Sequence, residues 1–393
     1  MSPSWIIVGG GIHGVHLAAR LIGEGGCHAE EIQILDPADA LLERWRACTA
    51  ATGMTHLRSP SVHHLDLEAW SLQRFAGKRR NRSPGLFAAP YERPALDLFD
   101  AHCDRVIETY GLDALHVRGR AAACQVDCES VTVATDDGQV LEAGQVVFAV
   151  GVGDQPQWPD WVPSDDSRVE HIFARDFSFP APEPAQRIAV VGGGISAAQV
   201  GLRLAGAGHS VHLISRHPVR EHQFDSDPGW LGPKFMDRFA REPSFAKRRT
   251  TITEARHRGS VPPDVRHSLR CAVEAGRIAW HEADVRDLVH EQGLRRLVLS
   301  TGREVEVAHV LLATGFASGR PGGTLVDDLI ESAALPCAQC GYPIVDKALR
   351  WHPRVFVSGA LAELELGPSA RNIAGARRAG DRIVPAARSV AAR

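Results

Sequence analysis

A short apolar run, a glycine-rich turn and an amphipathic stretch stand end to end in this sequence, and the combination occurs twice. In the first copy, residues 4–8 have the length of a buried strand. Gly9-Gly10-Gly11-Ile12-His13-Gly14 then fits G-x-G-x-x-G, and residues 15–22 carry apolar side chains at helical spacing. A second strand over residues 32–35 ends in Asp36, 22 residues after Gly14. Each part has a physical job in holding a dinucleotide. Gly9 makes the tight turn, Gly11 lets the backbone approach a pyrophosphate, and Gly14 lets helix and strand pack closely. The helix start offers free N–H groups and the positive end of its dipole to the phosphates. Asp36 can accept hydrogen bonds from a ribose diol.

In the second copy, residues 187–191 form the strand and Gly192-Gly193-Gly194-Ile195-Ser196-Ala197 fits G-x-G-x-x-A. A helix runs through Val200, Leu202 and Leu204, and a strand over residues 211–214 leads into Ser215-Arg216-His217. Arg216 lies 19 residues after Ala197, where the first copy has its acid. A carboxylate there would repel a ribose 2′-phosphate, whereas an arginine attracts it. The first site is therefore expected to take a cofactor with a free ribose diol, through Gly9, Gly11, Gly14 and Asp36. The second is expected to take NADPH, through Gly192, Gly194, Ser196, Ala197 and Arg216.

Both copies close alike. After the first, residues 117–127, 130–135 and 140–141 read as a meander of short strands, and residues 146–150 lead to Gly151. After the second, residues 288–290, 296–300 and 305–307 form a similar meander before residues 309–314 and Gly315. First loop glycine and closing glycine are 142 residues apart in one copy and 123 in the other. This period is that of a duplicated domain plan rather than a solenoid. The expected fold class is α/β, with two Rossmann-like dinucleotide-binding units.

With these two loops and Ala313-Thr314-Gly315-Phe316, the chain resembles the flavoproteins that carry two dinucleotide-binding domains, over nearly its full length. The resemblance implies FAD in the first unit, NADPH in the second, and Thr314 and Gly315 beside an interdomain linker. It implies an NADPH domain (161–318) inserted in a split FAD domain (1–160 and 319–393), with linkers over residues 154–167 and 315–323. Residues 341–346 and 354–359 are expected as the last strands of the returning part, with Gly359 at the cofactor. Many relatives place an aspartate next, where Ala360 stands. Gly367-Pro368 is expected to open a helix over residues 369–384, with proline at a favourable first-turn position. In this fold such a helix points its positive end at the flavin; the alternative is an ordinary packing helix.

The fold does not choose the reaction. Disulfide reductases of this group carry a redox cysteine pair near the flavin or inside the NADPH domain. Here Cys48 stands alone after the first loop, and the C-x-x-C pair Cys337 and Cys340 falls in the returning tail. That pair reads as a redox couple, half of a zinc site or two structural thiols. No second pair completes four zinc ligands, so no metal is expected. The monooxygenases of the group resemble this chain in other ways. Residues 53–60 (Gly-Met-Thr-His-Leu-Arg-Ser-Pro), before a helix-like run over residues 65–75, match the region that lines their flavin and substrate cavity. Residues 219–236 resemble the insertion of the lysine and ornithine N-hydroxylases, and residues 366–373 their C-terminal flavin helix. The F-x-G-x-x-x-H-S signature of other branches is not intact, with His171 alone near its place.

The resemblance thus implies an FAD- and NADPH-dependent monooxygenase acting on a nitrogen or sulfur of a small molecule, through O₂ bound at flavin C4a. The cofactor would carry the chemistry, and Arg58 is the one candidate for an active-site cation. The alternatives are an NADPH-dependent reductase of a disulfide, quinone or other acceptor, and a non-catalytic flavin- or NADPH-binding accessory protein. A net charge of −3 gives no reason to expect a nucleic-acid partner. No apolar run approaches the roughly 20 residues of a membrane span. The first residues lack the basic and cleavage features of a signal peptide, and eight scattered cysteines do not make a disulfide framework. A cytoplasmic enzyme is expected, with homo-oligomers compatible with the family.

Overall fold

The structure is a computed structural model that describes residues 4–163, 166–181, 184–291 and 293–391. Ser164 and Asp165, within the first expected linker, lie outside the described residues. The fold is α/β, with two parallel sheets of the Rossmann kind. The first sheet runs in the order Arg350–His352, Val355–Val357, Gln145–Phe148, Trp5–Val8, Ile32–Asp36, His116–Arg118. All its neighbours are parallel except the first pair. The second sheet is parallel throughout: Val169–His171, His309–Leu312, Arg187–Val191, Ser210–Ser215, Ile278–Glu282. Its central strands are apolar runs because a parallel sheet is covered on both faces. Trp5–Val8 and Gln145–Phe148 are buried at every position.

Each unit adds a three-stranded antiparallel meander: Ala121–Val126, Val131–Thr135 and Val140–Ala143 in the first, Val285–Glu291, Leu294–Leu299 and Glu304–Val307 in the second. One core joins the first sheet to Leu325, Val326 and Leu329 of the helix Gly323–Ser332, and to Ile383 and Val384 of the C-terminal helix Ile373–Ala391. Two further clusters serve the second sheet. The chain therefore leaves its first unit, builds the second and returns. The outward and return segments run side by side: Gln157 N–H donates to Gly315 O at 2.9 Å, and Ala317 N–H to Gln155 O at 2.8 Å.

Three expected elements differ. In residues 65–75 only Ser71–Phe75 is helical. The carbonyls before it point outward, Leu65 O to His16 Nδ1 (2.7 Å) and Leu67 O to Arg377 (3.2 Å), and so are lost to an intrahelical ladder. Residues 341–346 form no strand. Gly341 turns at φ +77°, and Pro343, which lacks an N–H, makes a single bridge to Cys337. The C-terminal helix begins at Ile373, four residues later than expected, because Gly367 to Asn372 are held in tight turns by Ala370 N–H to Gly367 O and Asn372 N–H to Ser369 O, both 3.1 Å.

Candidate functional site

The first loop is held by close backbone contacts. Gly9 sits at φ +115° and its N–H donates to Leu35 O at 2.8 Å. A Cβ on Gly14 would stand 1.8 Å from Gly9 O, so helix and loop meet at a distance only glycine permits. Gly11 caps the helix Ile12–Gly23 with no side-chain bond, and the space a Cβ would fill is open. The first-turn N–H groups are thus left for a ligand. Asp36 Oδ2 accepts from Gly10 N–H at 2.7 Å and Oδ1 from Ala38 N–H at 2.9 Å. Each oxygen keeps a lone pair for a diol.

The second loop repeats the backbone and changes the side chains. Gly192 N–H donates to Ile214 O at 2.9 Å, and a Cβ on it would stand 2.4 Å from Ala313 O. Gly194 caps the helix Ile195–Gly206, with Ser196 in its first turn and Ala197 buried against the loop. The shared bond aligns Leu35 with Ile214, so the residue in the place of Asp36 is Ser215. Arg216, read from the sequence as standing opposite Asp36, follows one position later in the strand register. Ser215 Oγ donates to His217 O and accepts from Trp280 Nε1, both at 2.9 Å. Arg216 is exposed, with no ion-pair partner among the described residues.

Thr314 and Gly315 stand where the return segment starts. The Thr314 hydroxyl donates to Gln157 O, and His171 Nε2 lies 3.1 Å from it. Gly315 takes φ +81°. Burial pushes His171 down to about 4, so it is neutral at pH 7. Gly359, at φ +64°, lies against His13 of the first loop, whose Nδ1 is 2.8 Å from Ser358 Oγ. Pro368 is buried in the turn before the C-terminal helix rather than in its first turn.

A cavity of about 680 Å³ joins these parts. Ile12 and Ile195, the first residues of the two glycine-loop helices, both line it, as do Arg371, Asn372 and Ile373 at the start of the C-terminal helix. Trp45, Met54, Leu57, Phe224, Leu231 and Phe316 make most of the wall apolar. No cysteine is among its lining residues. Behind Arg371 lies a buried cluster. Glu363, with its side chain 1% exposed, accepts from Arg371 Nε at 2.7 Å and also binds Arg249. Arg371 Nη2 donates to Tyr342 OH at 2.9 Å. Burial alone would raise the Glu363 carboxyl, yet the bond and charge of Arg371 and the charge of Arg249 hold it below the usual carboxylate range. The cluster keeps an arginine beside a helix N-terminus, a local field that favours negative charge.

Arg58 and His63 also line the cavity. Arg58 Nε and Nη2 donate to the carbonyls of Gln223, His222 and Phe224 at 2.7–3.0 Å. Burial pushes His63 down to about 4. Sequence reasoning missed Glu363 and Tyr342; a glutamate inside the apolar run 360–366, eight residues before an arginine, is the signal that was available. All eight cysteines are free thiols. Cys340 is exposed and Cys337 half-buried. Among the described residues no group of three or more histidine, cysteine or acidic side chains can hold a metal ion.

A family profile described as pyridine nucleotide-disulphide oxidoreductase matches residues 6–256. No curated protein sequence matches the chain. Among solved structures it is similar to an ornithine N-hydroxylase from Kutzneria sp. 744, whose structure carries reduced FAD, NADP⁺ and L-ornithine. Identity is 17% over 100% of both chains, with a TM-score of 0.77. It is similar to an FAD-bound cadaverine monooxygenase from Erwinia amylovora at 16% identity, covering 99% of this chain and 95% of that one, with a TM-score of 0.72. It is also similar to a bacillithiol disulfide reductase from Bacillus cereus at 17% identity, covering 99% and 100%, with a TM-score of 0.63.

Proposed function

The chain belongs to the pyridine nucleotide-disulphide oxidoreductase family, and within it we propose an FAD- and NADPH-dependent monooxygenase that hydroxylates a nitrogen, or a sulfur, of a small molecule with O₂. The observation that carries this reading is the thiol-free cavity onto which both glycine-loop helices open. A disulfide reductase needs at least one cysteine thiol where the electrons arrive; no cysteine lines the cavity, and the one C-x-x-C pair is absent from its wall. The higher TM-scores of the two amine hydroxylases than of the reductase point the same way.

The residues present fit both cofactors. The open space at Gly11, the bare helix start and the two free lone pairs of Asp36 suit a pyrophosphate and a ribose diol. Gly194 and the exposed Arg216 suit a dinucleotide with a 2′-phosphate. When bound, FAD and NADPH supply hydride transfer and oxygen activation. The protein's own part is orientation and environment. The N-terminus at Ile373 and the Arg371 guanidinium favour negative charge at the cavity floor. Phe224, Leu231 and Phe316 exclude water, and His63, neutral at pH 7, neither repels nor protonates an incoming amine.

The reading includes the division into residues 1–160 and 319–393 for FAD and 161–318 for NADPH, supported by the separate cores and the paired segments 155–157 and 315–317. It also includes a cytoplasmic setting, which eight free thiols suit; none of the described helices is long and apolar enough to cross a membrane. The test is NADPH oxidation screened against amines, amino acids and thioethers, with peroxide measured alongside. Substrate-stimulated oxidation that yields hydroxylated product and little peroxide is expected. Oxidation driven by a disulfide or quinone instead would establish a reductase.

A further inference from the structure

The proposed chemistry uses no thiol, yet one cysteine pair stands in a built environment. Cys337 and Cys340 lie in a chain reversal between the helix Gly323–Ser332 and the strand Arg350–His352. Its arms pair through Ala338 N–H to Tyr342 O at 3.0 Å and Ile344 N–H to Pro336 O at 2.9 Å, and Gly341 N–H closes the tip on Ala338 O at 2.8 Å. The arms are pinned from outside. Trp351 Nε1 donates to Pro336 O at 2.9 Å, while the buried Tyr342 hydroxyl donates to Gly319 O at 3.1 Å and accepts from Arg371 at 2.9 Å. The tip is open, with Cys340 exposed and Cys337 half-buried. A bond between the two sulfurs would close a ring within this tip alone.

The tip has a cation against it. Arg249 lies 3.8 Å over the Tyr342 ring, pairs with Glu363 and has the Cys340 sulfur beside it. Glu363 also serves Arg371, so one positive charge is left over among these three side chains. The thiolate is the nucleophilic form of cysteine, and a neighbouring cation favours it. The same charge disfavours a metal ion, and no third histidine, cysteine or acidic ligand joins the pair among the described residues. Cys337 differs: burial raises its thiol, with the Arg320 charge opposing, so it stays protonated at pH 7. An accessible thiol beside a cation, with a second thiol close by, is the arrangement of an oxidisable pair. Cys128 is the contrast. It is also exposed, but Cys124, the nearest cysteine in the sequence, is buried, with its thiol pushed up to about 12.

We propose that Cys340 and Cys337 form a peroxide-reactive site, with Cys340 as the attacking thiolate and Cys337 as the thiol that closes the disulfide. The Cys340 sulfur attacks one oxygen of hydrogen peroxide and the O–O bond breaks. A sulfenic acid forms, and the departing hydroxide takes up a proton as water. The Cys337 sulfur then displaces the sulfenic oxygen, which leaves with the Cys337 proton as a second water. Two thiols are oxidised to one disulfide, and peroxide is reduced to water. The electrons come from the thiols and not from a flavin, which sets this pair apart from the redox disulfide of a reductase. Uncoupled turnover of the proposed hydroxylase is one source of the peroxide.

The test adds hydrogen peroxide to the reduced full-length protein and counts alkylatable thiols after unfolding. The count is expected to fall by two from the eight free thiols. Peptide mass spectrometry should map one disulfide to Cys337 and Cys340, and dithiothreitol should reverse it. NADPH with catalase should leave the count unchanged. In Cys337→Ser a sulfenic acid should persist at Cys340 and react with dimedone, whereas in Cys340→Ser the Cys337 thiol should stay reduced. Arg249→Gln should slow the reaction with peroxide about tenfold. Arg249→Lys, which keeps the charge, should restore most of the rate, and it carries this arm if the glutamine variant does not fold. A thiol count unmoved by peroxide, or loss of Cys128 as fast as of Cys340, would overturn the proposal. Uptake of one zinc ion per chain that blocks the reaction would also overturn it and make the pair half of a metal site. Because peroxide is supplied directly, the result stands or falls apart from the hydroxylase reading.

Discussion

The two glycine loops share a backbone and differ in what surrounds it. In both, the first glycine N–H reaches the carbonyl at the end of the neighbouring strand, Leu35 in one and Ile214 in the other. In the first, the next residue is Asp36, which braces the loop through Gly10 N–H and keeps lone pairs outward. In the second it is Ser215, whose hydroxyl is spent on His217 O and Trp280. The His217 ring takes the place beside the loop: a Cβ on Gly193 would stand 2.8 Å from its Cε1. One loop is thus braced by an acid that keeps lone pairs a free diol could use. The other is braced by uncharged groups and leaves Arg216 exposed. A duplicated frame thus differs in charge at its two loops through a handful of side chains, while the strands and helices stayed alike.

Exchanging the third-glycine positions breaks the comparison most sharply. Gly14→Ala places a methyl 1.8 Å from Gly9 O. It should destabilise the first unit by about 3 kcal/mol or more and yield protein without flavin, read by visible absorbance and denaturant unfolding. Ala197→Gly in the second loop should cost only about 1 kcal/mol, the helix-propensity difference. Next in size is Arg216→Ala. A charge-assisted contact is worth about 1.5–3 kcal/mol, so the KM for NADPH should rise roughly tenfold to a hundredfold while that for NADH changes little. Asp36→Asn should weaken FAD binding about tenfold and leave the KM for NADPH unchanged, as flavin fluorescence and initial rates would report.

Acid stability sharpens the comparison further. Burial lowers His13, His63, His64 and His102 to about 4, and His16 to about 3, all in the first unit. In the second unit His171 and His212 are lowered to about 4. A folded pKa below the unfolded 6.5 means that the unfolded chain binds more protons. The stability these groups contribute is therefore full above pH 6.5 and lost as pH falls towards 4. The first unit should lose flavin and unfold before the second between these values, a difference that absorbance and far-UV dichroism at stepped pH would detect. The smallest effect is expected at Cys340: Cys340→Ser should leave NADPH oxidation within twofold, and thiol titration before and after NADPH should give the same count.

The loops, their strands and the meanders were legible because their signals are local: glycine spacing, apolar runs and turn residues within about thirty positions. Arg216 was read opposite Asp36 and stands one position beyond that place, since register depends on a bond across strands that spacing does not encode. The helix expected from residue 369 was misread because Gly367 and the pull of Glu363 on Arg371 turn the chain first. The cavity was the least legible part. Its wall draws on Trp45, Tyr91, Phe224 and Phe316, which are far apart in sequence. Arg58 was singled out as a cation near the flavin; its anchoring to carbonyls 222–224 could not be read from residues 53–60 alone.

The central claim is that electrons taken at the second loop pass to the first and then to oxygen. Turnover under oxygen-18 gas with NADPH and a coupled amine tests it most directly. One oxygen-18 atom in the product for each NADPH consumed is the predicted result. Product without the label, or NADPH consumed in step with a reduced disulfide or quinone, would contradict it.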